Sequence, residues 1–181
     1  MDNNTTYGYW RVIARHCNYT IPEDFERPAY IGQTKCPEDL NGLTIGQLIE
    51  IGEADGPDTD YRIIDIMLGM DKPQADKCRA TEVAAFLSWV GRQVKRINRL
   101  FESVQSKPTA KEKQAGVEKL QFGLFGILDW YAKRMGITDH DDVLSVPWMR
   151  IYKCMDMDNK VEQYQRRYNE ISMQEARRKK K

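Results

Sequence analysis

Apolar residues recur at intervals of three and four between Thr81 and Val104. Val83, Phe86, Leu87, Val90, Val94, Ile97, Leu100, Phe101 and Val104 fall on one stripe with a period near 3.6, the signature of an amphipathic helix. The spacing predicts the longest helix of the chain here. Gly91 is its weak point, costing about 1 kcal/mol relative to alanine, and Lys107-Pro108-Thr109 ends it. Two shorter helices are expected before it. Thr44 with Gln47 forms a capping box ahead of Ile45, Leu48, Ile49 and Gly52. Asp58 is placed to cap a second helix carrying Ile63, Ile64, Met67 and Leu68, with Gly69 at the left-handed C-terminal position. Glu53 to Pro57 and Asp71-Lys72-Pro73 read as turns.

Upstream the pattern weakens. Tyr9 to Ala14 gathers aromatic and β-branched residues and reads as a short strand. Pro22, Pro28 and Pro37 then break any long element. Downstream, Ala110 to Gly136 reads as helix interrupted by Gly116, Gly123 and Gly126, with Leu120, Leu124, Ile127, Leu128, Tyr131 and Met135 on its apolar face. Thr138 or Asp139 can cap a short helix ending at Leu144, and Pro147 suits the first position of the next. Met149, Ile151, Tyr152, Met155 and Met157 continue that helix; from Lys160 it turns polar and then basic. The expected fold is mainly α: an extended N-terminal arm over 1–42, a compact helical domain over 43–165, and a basic C-terminal helix and tail over 166–181.

Composition narrows the function classes. Of 181 residues, 41% are hydrophobic and 30% charged, enough for a core under a well-solvated surface. No run approaches the roughly 20 apolar residues of a membrane span, and MDNNTTYGYW lacks the basic and apolar regions of a secretory signal. On that expectation the Asn-x-Thr matches at Asn3, Asn4 and Asn18 carry little weight, and the scattered Cys17, Cys36, Cys78 and Cys154 stay reduced. There is no CxxC pair and there are two histidines, His16 and His140, so a structural zinc site is not expected. Net charge is +1 but uneven: residues 166–181 carry +5 and the rest −4.

Two clusters invite a metal reading. Asp139-His140-Asp141-Asp142 is dense in ligands, but carboxylates in a first helical turn are favoured by the helix dipole. Asp55, Asp58 and Asp60 approach a calcium-loop spacing without its glycine and bidentate glutamate; a turn followed by a cap accounts for them. No nucleophile elbow, phosphate loop, dinucleotide fingerprint or HExxH is present. No enzyme, cofactor or metal is therefore expected. Arg92, Lys95, Arg96 and Arg99 form a basic edge, and Arg177, Arg178, Lys179, Lys180 and Lys181 a basic end, which leaves a weak case for nucleic acid. What stands out is contact surface: Trp130, Tyr131, Met135, Trp148, Met149, Tyr152 and Met155 lie close in sequence. Aromatics anchor interfaces, and methionine adapts to many partners. These seven are the candidate partner-binding residues.

The words Gly116-Val117-Glu118-Lys119-Leu120 and Phe122-Gly123-Leu124-Phe125-Gly126, then MGITDHDDVLSVPWMRIYKCMDMD and QYQRRY, resemble tail assembly chaperones of tailed phages. The likeness is to the type found in phages of gut Bacteroides-like hosts. LTIGQLIEIGE from Leu43 and the apolar helix from Tyr61 to Leu68 resemble the opening of that group, and the likeness covers roughly residues 40–170. The resemblance implies a small, mainly helical, non-enzymatic protein of the host cytoplasm during infection. Such a protein coats the hydrophobic tape-measure protein until tail-tube subunits polymerise around it, and is usually absent from the finished virion. Self-association is a further interaction to expect. The alternatives are a virion structural protein, such as a head–tail connector or internal protein, and a basic-tailed nucleic-acid-binding accessory protein.

Overall fold

In the computed structural model the described residues are 4–17, 25–120 and 122–179. Asn3, Asn18, Pro22, Lys180 and Lys181 lie outside them. The fold is mainly helical, as the periodicity predicts. The chain divides into two units, Met1–Asn98 and Arg99–Lys181. That division falls inside a long helix.

Unit 1 holds α1 (Tyr7–His16), a hairpin of β1 (Tyr30–Ile31) and β2 (Thr34–Lys35), α2 (Ile45–Glu53), α3 (Thr59–Leu68), α4 (Lys72–Lys77) and most of α5 (Ala80–Ser103). The strands pair antiparallel, Tyr30 with Lys35 and Ile31 with Thr34. Gly32 opens their two-residue loop at φ +57°, a conformation that side chains rarely adopt. α2 starts at the Thr44–Gln47 capping box, and Gly69 closes α3 in the left-handed region. α5 buries Val83, Phe86, Val90 and Ile97 of the expected stripe, together with Ala80, Ala84, Ala85 and Trp89.

Three expectations fail here for physical reasons. Tyr9 to Ala14 is helix, not strand: Tyr7, Arg11 and Ala14 share the buried face of α1 at helical spacing. Residues 7–16 of the expected extended arm are therefore helical. The Tyr7 amide donates to the Cys78 carbonyl at 2.8 Å and the Ala80 amide to Thr5 at 2.9 Å, fixing the start of α1 to the start of α5. Finally, Asp71-Lys72-Pro73 is no simple turn. Asp71 and Gln74 form a second capping box, with proline in the first turn of α4, where its missing N–H costs nothing.

Unit 2 holds the end of α5, α6 (Ala110–Gln114), a 3-10 turn (Val117–Lys119), α7 (Gly123–Met135), α8 (His140–Leu144) and α9 (Trp148–Arg178). α9, with 31 residues, exceeds α5, with 24. Thr109 and Glu112 cap α6 reciprocally, Gly136 ends α7 in the left-handed region, and Asp139 caps α8. Pro147 stands at the N-cap of α9, one position before the one expected.

Candidate functional site

Within unit 2, α7 and α9 border an open groove of about 300 Å³. Ile127 and Trp130 come from α7, Met155, Asp158, Asn159 and Glu162 from α9, and Val104 to Ser106 from the segment after α5. The two helices are tied by Arg134, whose guanidinium donates to the Asp158 carboxylate (2.6 Å to Oδ2). That carboxylate holds the Arg134 pKa above its usual value. The same guanidinium lies 5.8 Å from the centre of the Trp130 ring, a cation–π arrangement. Ser106 donates to Glu162, and Arg166 donates to the Lys107 carbonyl at 3.1 Å and to Glu162. These bonds lash the 106–107 segment to α9. Val104, Ile127, Trp130 and Met155 give the groove an apolar part, Gln105, Ser106 and Asn159 a polar one, and its two carboxylates are already paired.

Gly126 exists for packing. A Cβ there would sit 2.8 Å from Cβ of Phe122, so only glycine lets Phe122 fold over the first turn of α7. Phe122, with Leu120 and Phe125, is more than 60% exposed. Phe125 touches the His140 ring at 5.0 Å between centroids. His140 Nε2 in turn lies 3.5 Å from Asp129.

The seven candidate contact residues do not share one fate. Trp130 and Met155 meet at the groove, Met149 and Tyr152 are half-buried, and Met135 is exposed. Tyr131 and Trp148 are 1% and 2% exposed. Both belong to the core of unit 2, where the Phe101 ring lies tilted against Trp148 at 6.1 Å and edge-on to Tyr152 at 5.9 Å between centroids. As surface contacts they are corrected: two of the largest apolar side chains close the interior of a thin helical unit.

Periodicity overlooked a second surface. Met157, Val161, Tyr164, Tyr168 and Ile171 are all more than half exposed and follow a spacing of four, three, four, three along α9. The polar residues between them hide that stripe in the sequence. The chain matches no family model, no curated protein and no solved structure.

The remaining candidates resolve locally. Asp139 accepts from the Asp141 amide at 2.9 Å, so the acidic word starting there is a helix cap. Asp58 and Asp60 serve an arginine. Arg11 Nε donates to Asp60 at 2.5 Å and Nη2 reaches Asp60 at 2.8 Å and Asp58 at 2.9 Å. Asp58 heads α3 without capping it through its side chain, because its carboxylate is turned to Arg11. Tyr7 donates its hydroxyl to Asp60, and Tyr61 donates to Asp76. The Arg11 guanidinium lies 4.1 Å from the centre of the Tyr61 ring. Burial, and then the Asp60 carboxylate, push the Tyr7 pKa well above its usual value. Burial and Asp76 push Tyr61 up to about 12. Burial opposes the charge on Arg11, but Asp60 outweighs it and raises the pKa. The Arg11 bond, with Lys72 and Arg15 nearby, holds Asp58 below the usual carboxylate range.

Arg177, Arg178 and Lys179 are exposed at the C-terminal end of α9, where cations suit the helix dipole. On the basic edge of α5, Arg92 is engaged with the Phe25 carbonyl and with Ser88. Among the described residues no group of three or more His, Cys, Asp or Glu could hold a metal ion, and no helix is long and apolar enough to cross a membrane.

Proposed function

We propose that this protein is a non-enzymatic chaperone that holds a helical, apolar client, and that the client is the tape-measure protein of a tailed phage, bound in the host cytoplasm before tail assembly. The supporting observation is the uneven placement of apolar surface. Among the described residues of unit 2, ten large apolar side chains are exposed, from Leu120 to Met173, and a groove lined by Trp130 and Met155 adds further apolar surface. Surface of this kind gains by covering a partner's apolar face. Spread over many modest contacts, it also permits later release. The resemblance of the 116–126 and 135–168 words to tail assembly chaperones supplies the identity of the client.

Co-expression with a tape-measure fragment tests this reading. The wild-type chain is expected to keep the fragment soluble. A chain carrying Leu120→Asp and Phe125→Asp is expected to lose most of that effect while folding normally, because both residues are exposed. A fragment that stays insoluble with the wild-type chain contradicts the reading. Abundant copies in purified virions would favour a structural role instead.

A further inference from the structure

α9 has two working faces. Ile151, Met155, Asn159, Glu162 and Arg166 point toward the rest of unit 2 through burial, the groove or hydrogen bonds. At 100° per residue, Met157, Val161, Tyr164 and Tyr168 each stand about 200° beyond one of them. The outward stripe is therefore a separate surface from the groove. Its alternating steps of four and three match the a and d positions of a heptad, which keep a seam facing one partner helix. Tyr164 and Tyr168 stack on each other at 6.3 Å between centroids. From Arg167 to Lys179 every residue is exposed. A helical stretch of that length without tertiary cover is marginal in water.

The charges around the seam choose its occupant. In heptad terms Lys160, which also pairs with Asp156 at 2.6 Å, and Arg167 flank one side; Asp158, held by Arg134, Gln165 and Ser172 flank the other; and the end of the helix adds Arg177, Arg178 and Lys179 beside Glu175. A parallel second copy would bring two of those basic ends together. An antiparallel copy with its stripe in register would set Arg167 against itself. Like charges at these positions are unfavourable. We propose that the outward stripe of α9 docks an amphipathic helix of another protein whose apolar seam is flanked by acidic residues. This rests on α9 alone and needs neither the groove nor the identity of the client.

The probes are two synthetic helical peptides about three heptads long, with leucine at a and d and either glutamate or lysine at the flanks. Binding to the full chain is read by fluorescence anisotropy at low salt. The acidic peptide is expected to bind at least about tenfold more tightly than the basic one, a preference that shrinks as salt rises. Tyr164→Ser with Ile171→Ser should weaken the acidic peptide by about tenfold or more, with an unchanged thermal melt of the chain. Lys160→Glu with Arg167→Glu should reverse the preference between peptides. Equal affinity for the two peptides, or binding indifferent to the serine substitutions, overturns the proposal. So does a chain that sediments as a dimer through this stripe and binds neither peptide.

Discussion

The two units spend their apolar residues in opposite ways. Among the described residues, unit 1 exposes four large apolar side chains, Tyr9, Val12, Ile13 and Tyr30, against ten in unit 2. Its buried apolar set runs from Tyr7 to Ile97, through the hairpin, four short helices and α5. Unit 2 buries only Val104, Leu128, Tyr131, Ala132, Val143, Trp148 and Ile151. Unit 1 also buries a charged arginine against Asp60 and two tyrosines, with the exposed Asp58 closing the cluster from outside. Unit 2 pairs its charges at the surface, where each bridge contributes little. One half keeps most of its large apolar side chains inside, the other leaves more of them in solvent than it buries.

The largest effect expected from breaking this contrast is in the small core of unit 2. Trp148→Ala should cost about 4 kcal/mol and remove the tilted ring contacts with Phe101 and Tyr152, measured by urea unfolding. In unit 1, Arg11→Ala leaves Asp60 without its charge partner and should cost about 3 kcal/mol in the same assay. A loss below about 1 kcal/mol there would mean that the arginine cluster does not define unit 1. Thr44→Ala removes one side of a capping box and should cost about 1 kcal/mol. At the outward stripe, Tyr168→Ser should change stability by less than about 0.5 kcal/mol, since that side chain stands in solvent.

A pH titration sharpens the same contrast. The folded pKa of Tyr61 lies above that of an unfolded tyrosine, about 10. Its contribution is therefore complete below pH 10 and is lost as pH rises toward about 12. Tyr7 is shifted in the same direction, with burial the first cause. Asp58 is shifted the other way, so its contribution is present above the unfolded carboxylate pKa and falls away in acid. Alkaline unfolding monitored by tyrosine absorbance should begin in unit 1, and Tyr61→Phe should move its onset to higher pH.

Much of the fold is legible in the sequence wherever local chemistry and period agree. Thr44 with Gln47, Gly69, Gly136 and Asp139 mark helix ends because each satisfies an orphaned backbone group or adopts a left-handed turn. α1 is not legible, because one of its three inward positions is Arg11, which reads as surface until Asp60 is placed beside it. Trp130 and Met155 are found as contact candidates, and they do meet at the groove. Tyr131 and Trp148 show why apolar density alone misleads: periodicity gives a stripe but not what lies against it. The outward stripe of α9 is written in the spacing of Met157 to Ile171. Gln163, Gln165, Arg166 and Arg167 mask it when that region is weighed by polarity.

The claim that unit 2 is the contact half is tested most directly by hydrogen exchange of the full chain, alone and with a soluble tape-measure fragment. Slowed exchange is expected over 120–135 and 155–173, with the amides of α2 to α4 unchanged. Protection confined to unit 1, or none anywhere under saturating fragment, would contradict it.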